Sequence, residues 1–259
     1  MPETIVMIHG MQVGEWCWGK YKEFFEEKGY ICVTPTLRFH DMALLEPPSP
    51  QLGTVSLLGY VEDLEKEIKE LDGPPILMGH SMGGLLAQIL GSHGLGKALV
   101  LLNPAWPRGV MGIRPCVIRT FWSGHKKYGL WKKPFRLTFK EVAGSMLQLI
   151  PVADQKELYG RFGYESGRAA CEIAYWFFDR KRASAVDETK ITCPVLVIAG
   201  GLDHATPTPV VRRVAHKYRL VSTYKEFDHH SHWVIGEPGW QEIANYVSDW
   251  LNQVLRKSG

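Results

Sequence analysis

Ile76-Leu77-Met78-Gly79-His80-Ser81-Met82-Gly83-Gly84-Leu85-Leu86 is the stretch on which the fold turns. Its first three residues are apolar and suit the end of a buried strand, while Leu85, Leu86, Ile89 and Leu90 recur at the spacing of a helix face. Between them the pattern G-x-S-x-G places Ser81 on a strand-to-helix turn. The flanking glycines permit a turn tight enough to lift the hydroxyl clear of the backbone. The helix beginning behind it offers unpaired N–H groups and a positive end to negative charge forming at that point.

On either side, short apolar or β-branched runs alternate with segments of helical period, the pattern of strand, crossover helix and strand in a parallel sheet. Strands are predicted at 4–8, 30–35, 75–79, 97–102, 194–199 and 221–226, each apolar on both sides as in a buried parallel sheet. Val61, Leu64, Ile68 and Leu71 mark a helix, with Ser56 as N-cap and Gly73-Pro74-Pro75 as its stop. Trp240, Ile243, Ala244, Val247, Trp250, Leu251 and Val254 mark another that should seal one sheet face. Glu46-Pro47-Pro48-Ser49-Pro50 reads as a surface loop.

The alternation fails between Asn103 and Asp187. Of the 29 aromatic residues, 14 fall within 105–186, a density that suits an inserted cap over the sheet. The fold class is therefore α/β, a mostly parallel sheet of about six strands with helices on both faces, with core segments 1–104 and 187–259 and an inserted helical cap at 105–186. Phe121, Trp122, Tyr128, Trp131, Tyr175, Trp176, Phe177 and Phe178 either wall a substrate cavity or form the cap's own small core.

A serine hydroxyl needs a base, and the base needs an orienting acid. Asp203 follows strand 194–199 through Gly200-Gly201-Leu202, at a strand's carboxyl end, where sites in open α/β sheets lie. Five histidines come later: His204, His216, His229, His230 and His232. His232, between the last strand and the C-terminal helix, is the expected base, with His229 and His230 as alternatives. No acidic or Cys partner stands at metal-ligand spacing from this cluster, so neither a metal nor another cofactor is expected.

Charge adds a separate feature. The net charge is +3, yet from Pro107 to Lys140 there are nine Lys or Arg and no Asp or Glu. Such a segment could concentrate an anionic substrate, a CoA-type leaving group or an acidic surface, or be an ordinary solvated face. With a pI near 8.5 and no recognition motif, nucleic acid is not an expected partner. The apolar runs are too short for membrane insertion, and the five scattered cysteines suit reduced thiols, so a cytoplasmic location is expected. The residues assign no oligomeric state.

Taken together, Ile8-His9-Gly10, Gly79 through Gly84, Gly200-Gly201-Leu202-Asp203 with Pro207, and His232-Trp233 with Glu237-Pro238 resemble the α/β-hydrolase family nearly end to end. Pro35-Thr36-Leu37-Arg38-Phe39-His40 is similar to the loop after the family's next strand. The short lead-in to Thr4 and Trp16-Cys17-Trp18 resemble the branch of plant methylesterases and hydroxynitrile lyases. Trp233 stands where those lyases carry a Lys, which argues against cyanohydrin cleavage, and Ser231 replaces the usual Gly before the base.

The resemblance implies a Ser81, Asp203, His232 triad and an oxyanion hole from the backbone N–H groups of Met11 and Met82. Residues expected to touch substrate are His9, Gly10, His80, Trp106, Phe121, Trp122 and Trp176, although His9 and His80 also suit a role bracing turns. The function this implies is a serine hydrolase cleaving a small carboxylic ester or thioester, with an anionic substrate and an apolar acyl group as the two options. A same-fold lyase, a perhydrolase or haloperoxidase, an acyltransferase and a non-catalytic small-molecule receptor are the alternatives.

Overall fold

A computed structural model describes residues 2–41 and 47–256; Glu46, where the Pro-rich loop begins, lies outside them. The apolar runs form six strands: β1 (Thr4–Ile8), β2 (Ile31–Val33), β3 (Ile76–His80), β4 (Ala98–Leu102), β5 (Val195–Gly200) and β6 (Ser222–Phe227). They pair in parallel in the order β2-β1-β3-β4-β5-β6. Because side chains alternate along a strand, the sheet feeds two cores. Val6, Ile8, Leu77, Leu99, Val195 and Val197 face one, closed by α2 (Leu57–Lys69), α3 (Met82–Ser92) and α4 (Thr208–Lys217). Ile5, Met7, Ile76, Met78, Val100 and Ile198 face the other, closed by α1 (Gly19–Glu27) and α5 (Trp240–Leu255).

Local signals set the helix bounds. The Ser56 hydroxyl accepts the Leu58 N–H at the start of α2, satisfying one of the donors a helix start leaves unpaired. α3 is buried on every side, as its position behind the central strands demands. One expectation needs correcting: β6 is not apolar on both sides. Its residues from Ser222 to Glu226 are half-buried, because an outer strand with β5 as its sheet neighbour carries polar side chains to water.

Between β4 and β5 the chain leaves the sheet. It forms short helices, none longer than the nine residues of Val152–Gly160 among the described residues. Two two-residue strands, Pro134–Phe135 and Glu165–Ser166, pair antiparallel. Trp106, Val117 and Ile173 of this excursion enter one core, and Leu130, Phe135 and Phe162 enter the other.

A buried polar knot fastens the excursion to α2 and to the loop after β2. Glu165, fully buried, accepts from the Tyr60 hydroxyl of α2 at 2.8 Å, His40 Nε2 at 3.1 Å and the Ser166 N–H at 2.7 Å. Burial opposes charge on this pair, yet mutual attraction and hydrogen bonding overcome it, lowering the Glu165 pKa and raising that of His40. No described helix is long and apolar enough to cross a membrane.

Candidate active site

The chain runs from β1 outward to β2 and then returns to the other side of β1 for β3, so the strand order reverses between β1 and β3. Crevices in open α/β sheets form outside the carboxyl ends of strands at such a reversal. Met11 follows β1 there, and Ser81 follows β3. Ser81 has φ 54° and ψ −119°, a backbone that non-glycine residues rarely adopt. Neighbouring glycines make it possible. A Cβ on Gly79 would strike the Gly83 carbonyl, and one on Gly83 would strike the carbonyls of Ile8 and His9. The Ser81 carbonyl accepts from Ala105 N at 2.8 Å and Gly84 N at 3.0 Å, which holds the turn.

Asp203 and His232 meet after β5 and β6. Asp203 Oδ2 lies 2.7 Å from His232 Nδ1 and also accepts the Thr206 hydroxyl at 2.7 Å. Its Oδ1 takes the backbone N–H groups of Ala205 and Thr206 at 2.7 and 2.9 Å. Burial alone would raise this carboxyl's pKa, but the His232 imidazole and the Thr206 donors hold it below its ordinary range.

The rival histidines have other places. His229 is exposed, and His230 Nδ1 lies 2.9 Å from Glu237. Glu237 also accepts from the Ser231 backbone at 2.8 Å and from its hydroxyl, pinning the residue before His232. Asn103, at φ 44° after β4, donates through Nδ2 to the carbonyls of Ser231 at 2.7 Å and His232 at 3.2 Å. Its Oδ1 accepts the Gly200 N–H at 2.7 Å, so one amide ties three strand ends together. No hydrogen bond joins Ser81 Oγ to His232 among the described residues.

An apolar hollow of about 280 Å³ is walled by Met11, Trp106, Val117, Phe121 and Ile173. Met11 follows Gly10 and Trp106 follows Ala105, the two residues that abut or bond Ser81, while Ser81 itself is not in the wall. Gly10 abuts Ser81 closely, since a Cβ there would lie 3.0 Å from Ser81 Cβ. Met82 opens α3 and buries its side chain in the core, leaving its amide at the helix start.

Other expected contacts are placed differently. His9 is fully buried, with Nδ1 2.8 Å from the Gly10 carbonyl and Nε2 accepting the Leu37 N–H at 3.1 Å, so it braces the turn and does not wall the hollow. His80 is also buried, its Nε2 2.8 Å from the His232 carbonyl. Burial depresses both pKa values to about 3, so both rings are neutral. Trp122 is half exposed beneath Lys126. Trp176 donates to the Val110 carbonyl at 3.2 Å and packs within the excursion.

The model of the alpha/beta hydrolase family matches residues 5–245. The chain belongs to that family. No curated protein is close enough in sequence to count as a relative. Among solved structures, tomato methylketone synthase I, complexed with 2-tridecanone, is similar at TM-score 0.73 and 16% identity, over 98% of this chain and 99% of that one. An Arabidopsis methylesterase is similar at TM-score 0.72 and 14% identity, over 96% and 99%. A monoacylglycerol lipase from Paleococcus ferrophilus is similar at TM-score 0.67 and 22% identity, over 97% and 95%. Such distant likenesses establish a shared fold, and their different reactions leave chemistry to be argued from the site.

In this alpha/beta hydrolase, sequence reading gave no role to Asn103, Thr206 or Glu237, which hydrogen-bond Asp203 or the segment Ser231-His232. Thr206 had a local signal, lying three residues after Asp203 as a partner for a capping carboxylate. Glu237 stood in the motif after His232 without a role, and Asn103 had no signal.

Proposed function

We propose that the protein is a serine hydrolase cleaving carboxylic esters or thioesters, with Ser81 as nucleophile, His232 as base and Asp203 as the orienting acid. The observation that carries this reading is the strained backbone of Ser81, φ 54° in a non-glycine residue at the strand-order reversal. Strain of this kind persists where surrounding packing over-determines it, and here the turn is held against Gly10 and Ala105, whose chain neighbours Met11 and Trp106 wall an apolar hollow.

Asp203 engages His232 Nδ1, which leaves Nε2 to take the Ser81 proton as Oγ attacks the carbonyl. The contact between Ser81 and His232 tightens when substrate arrives, as hydrogen bonds in empty sites commonly do. The buried Asp203 carboxylate then stabilises the imidazolium. Backbone N–H groups of Met11 and Met82 receive the oxyanion; the Met82 amide opens α3, where the helix dipole adds to it. The imidazolium protonates the leaving alcohol or thiol. Water repeats the sequence on the acyl-enzyme.

The apolar hollow suits the acyl side of the substrate, and the cations between Pro107 and Lys140 favour an anionic one. Purified protein is expected to turn over members of a panel of p-nitrophenyl esters and acyl-CoA thioesters, and Ser81→Ala to lose on the order of 10⁶ in kcat. Undiminished turnover by Ser81→Ala would overturn the assignment.

A further inference from the structure

Two hollows adjoin in the excursion between β4 and β5. The inner one, about 280 Å³, reaches Met11 and Trp106, the chain neighbours of Gly10, which abuts Ser81, and of Ala105, which bonds it. The outer one, about 840 Å³, is edged by Tyr128, Trp131 and Phe178. Those three side chains are 89%, 50% and 79% exposed. Large aromatic groups left in water together mark a surface that meets an apolar ligand or partner.

Gly124, His125, Leu130, Cys171 and Tyr175 belong to both walls and so form the partition between the hollows. Across it the Tyr175 hydroxyl and His125 Nδ1 hydrogen-bond at 2.6 Å. No other side-chain hydrogen bond joins these five residues among those described. His125 is the last residue of the short helix Trp122–His125, and Tyr175 directly follows the helix Gly167–Ala174. Helix ends open locally at low cost. Burial lowers the His125 pKa, so the bond joins two neutral groups at neutral pH and makes a weak latch.

We propose that the two hollows are halves of one acyl channel latched by His125 and Tyr175, and that the substrate is an ester or thioester of a long straight-chain acid. The inner half takes the part of the chain next to the carbonyl. The outer half, along Tyr128, Trp131 and Phe178, takes the distal part once the latch opens. The catalytic half of this statement rests on Ser81 as nucleophile; the channel itself rests on the shared wall.

Two measurements test it. In the first, kcat/KM is measured for p-nitrophenyl esters from acetyl to palmitoyl with the wild type, Tyr175→Phe and Tyr175→Ala. The palmitoyl-to-butanoyl ratio is expected to rise about tenfold or more in Tyr175→Ala, the scale on which pocket contacts discriminate apolar groups. Tyr175→Phe, which loses the hydrogen bond and keeps the ring, should rise less. Unchanged ratios in folded variants would overturn the latch.

The second needs neither variant nor turnover. Alkylation of Cys171 on the partition by a maleimide is followed by mass spectrometry in the wild type, with Cys116, outside both hollow walls, as internal control. Palmitate is expected to slow Cys171 alkylation several-fold and butanoate to leave it unchanged. Equal rates with both acids would overturn the channel, whereas a wild type that hydrolyses no ester overturns only the esterase reading.

Discussion

The proposed nucleophile owes its placement to one backbone conformation. Ser81→Gly and Ser81→Ala both remove the hydroxyl, but only glycine is at ease at φ 54°. Ser81→Gly is therefore expected to exceed Ser81→Ala in stability by about 1 kcal/mol in urea unfolding; equal midpoints would contradict a strained turn. Asp203→Asn should lower kcat by on the order of 10⁴ by favouring the wrong His232 tautomer, and an unaffected rate would move the orienting acid elsewhere. The strand-to-helix turn at Ser81 was legible because its signal is local, glycines and serine within one turn, and the place of Asp203 by following a strand to its end. That Asp203 meets His232 and not its two neighbours was not legible locally, because distant residues arrange it: Asn103 reaches the Ser231 carbonyl across 128 positions, and Asp203 reaches His232 across 29. Spacing carries no trace of such contacts.

Elements were legible in proportion to their length and to the uniformity of their surroundings. All six sheet strands lie where apolar runs stand between turn residues, and α2 and α5 follow their stripes. The outer strand β6 escapes the two-sided apolar rule because water reaches it. The excursion between β4 and β5 was legible only as an interruption, since helices of four to nine residues are too short for a period to declare itself. What fastens it is Glu165, and Glu165→Ala should destabilise the fold by on the order of 3 kcal/mol by leaving His40 buried without its partner. The Glu165 pKa lies below its ordinary 4.5, so its stabilisation is complete above pH 4.5 and is lost as pH falls through the lowered value. The His40 pKa lies above its ordinary 6.5, so its share is complete below pH 6.5 and is lost as pH rises through the raised value. The wild type's advantage over Glu165→Ala in urea unfolding is thus expected to peak between pH 4.5 and 6.5. A difference independent of pH would contradict the ion pair.

Over the whole molecule, a net charge of +3 conceals a division between one cationic segment and an acidic remainder. Of the nine cations between Pro107 and Lys140, six are exposed, and none forms an ion pair with a described acidic residue. Their field therefore reaches solvent, and for matched esters kcat/KM should fall with added salt more steeply for the anionic than for the neutral substrate. Equal salt dependence would leave the segment a solvated face. The fold, the strand-order reversal and the Asp203–His232 contact all direct attention to one hydroxyl. The most direct test is covalent labelling with a fluorophosphonate followed by peptide mapping. A single adduct on Ser81, absent from Ser81→Ala and formed far more slowly in His232→Ala, is the expected result; no adduct, or one on another residue, would contradict the account.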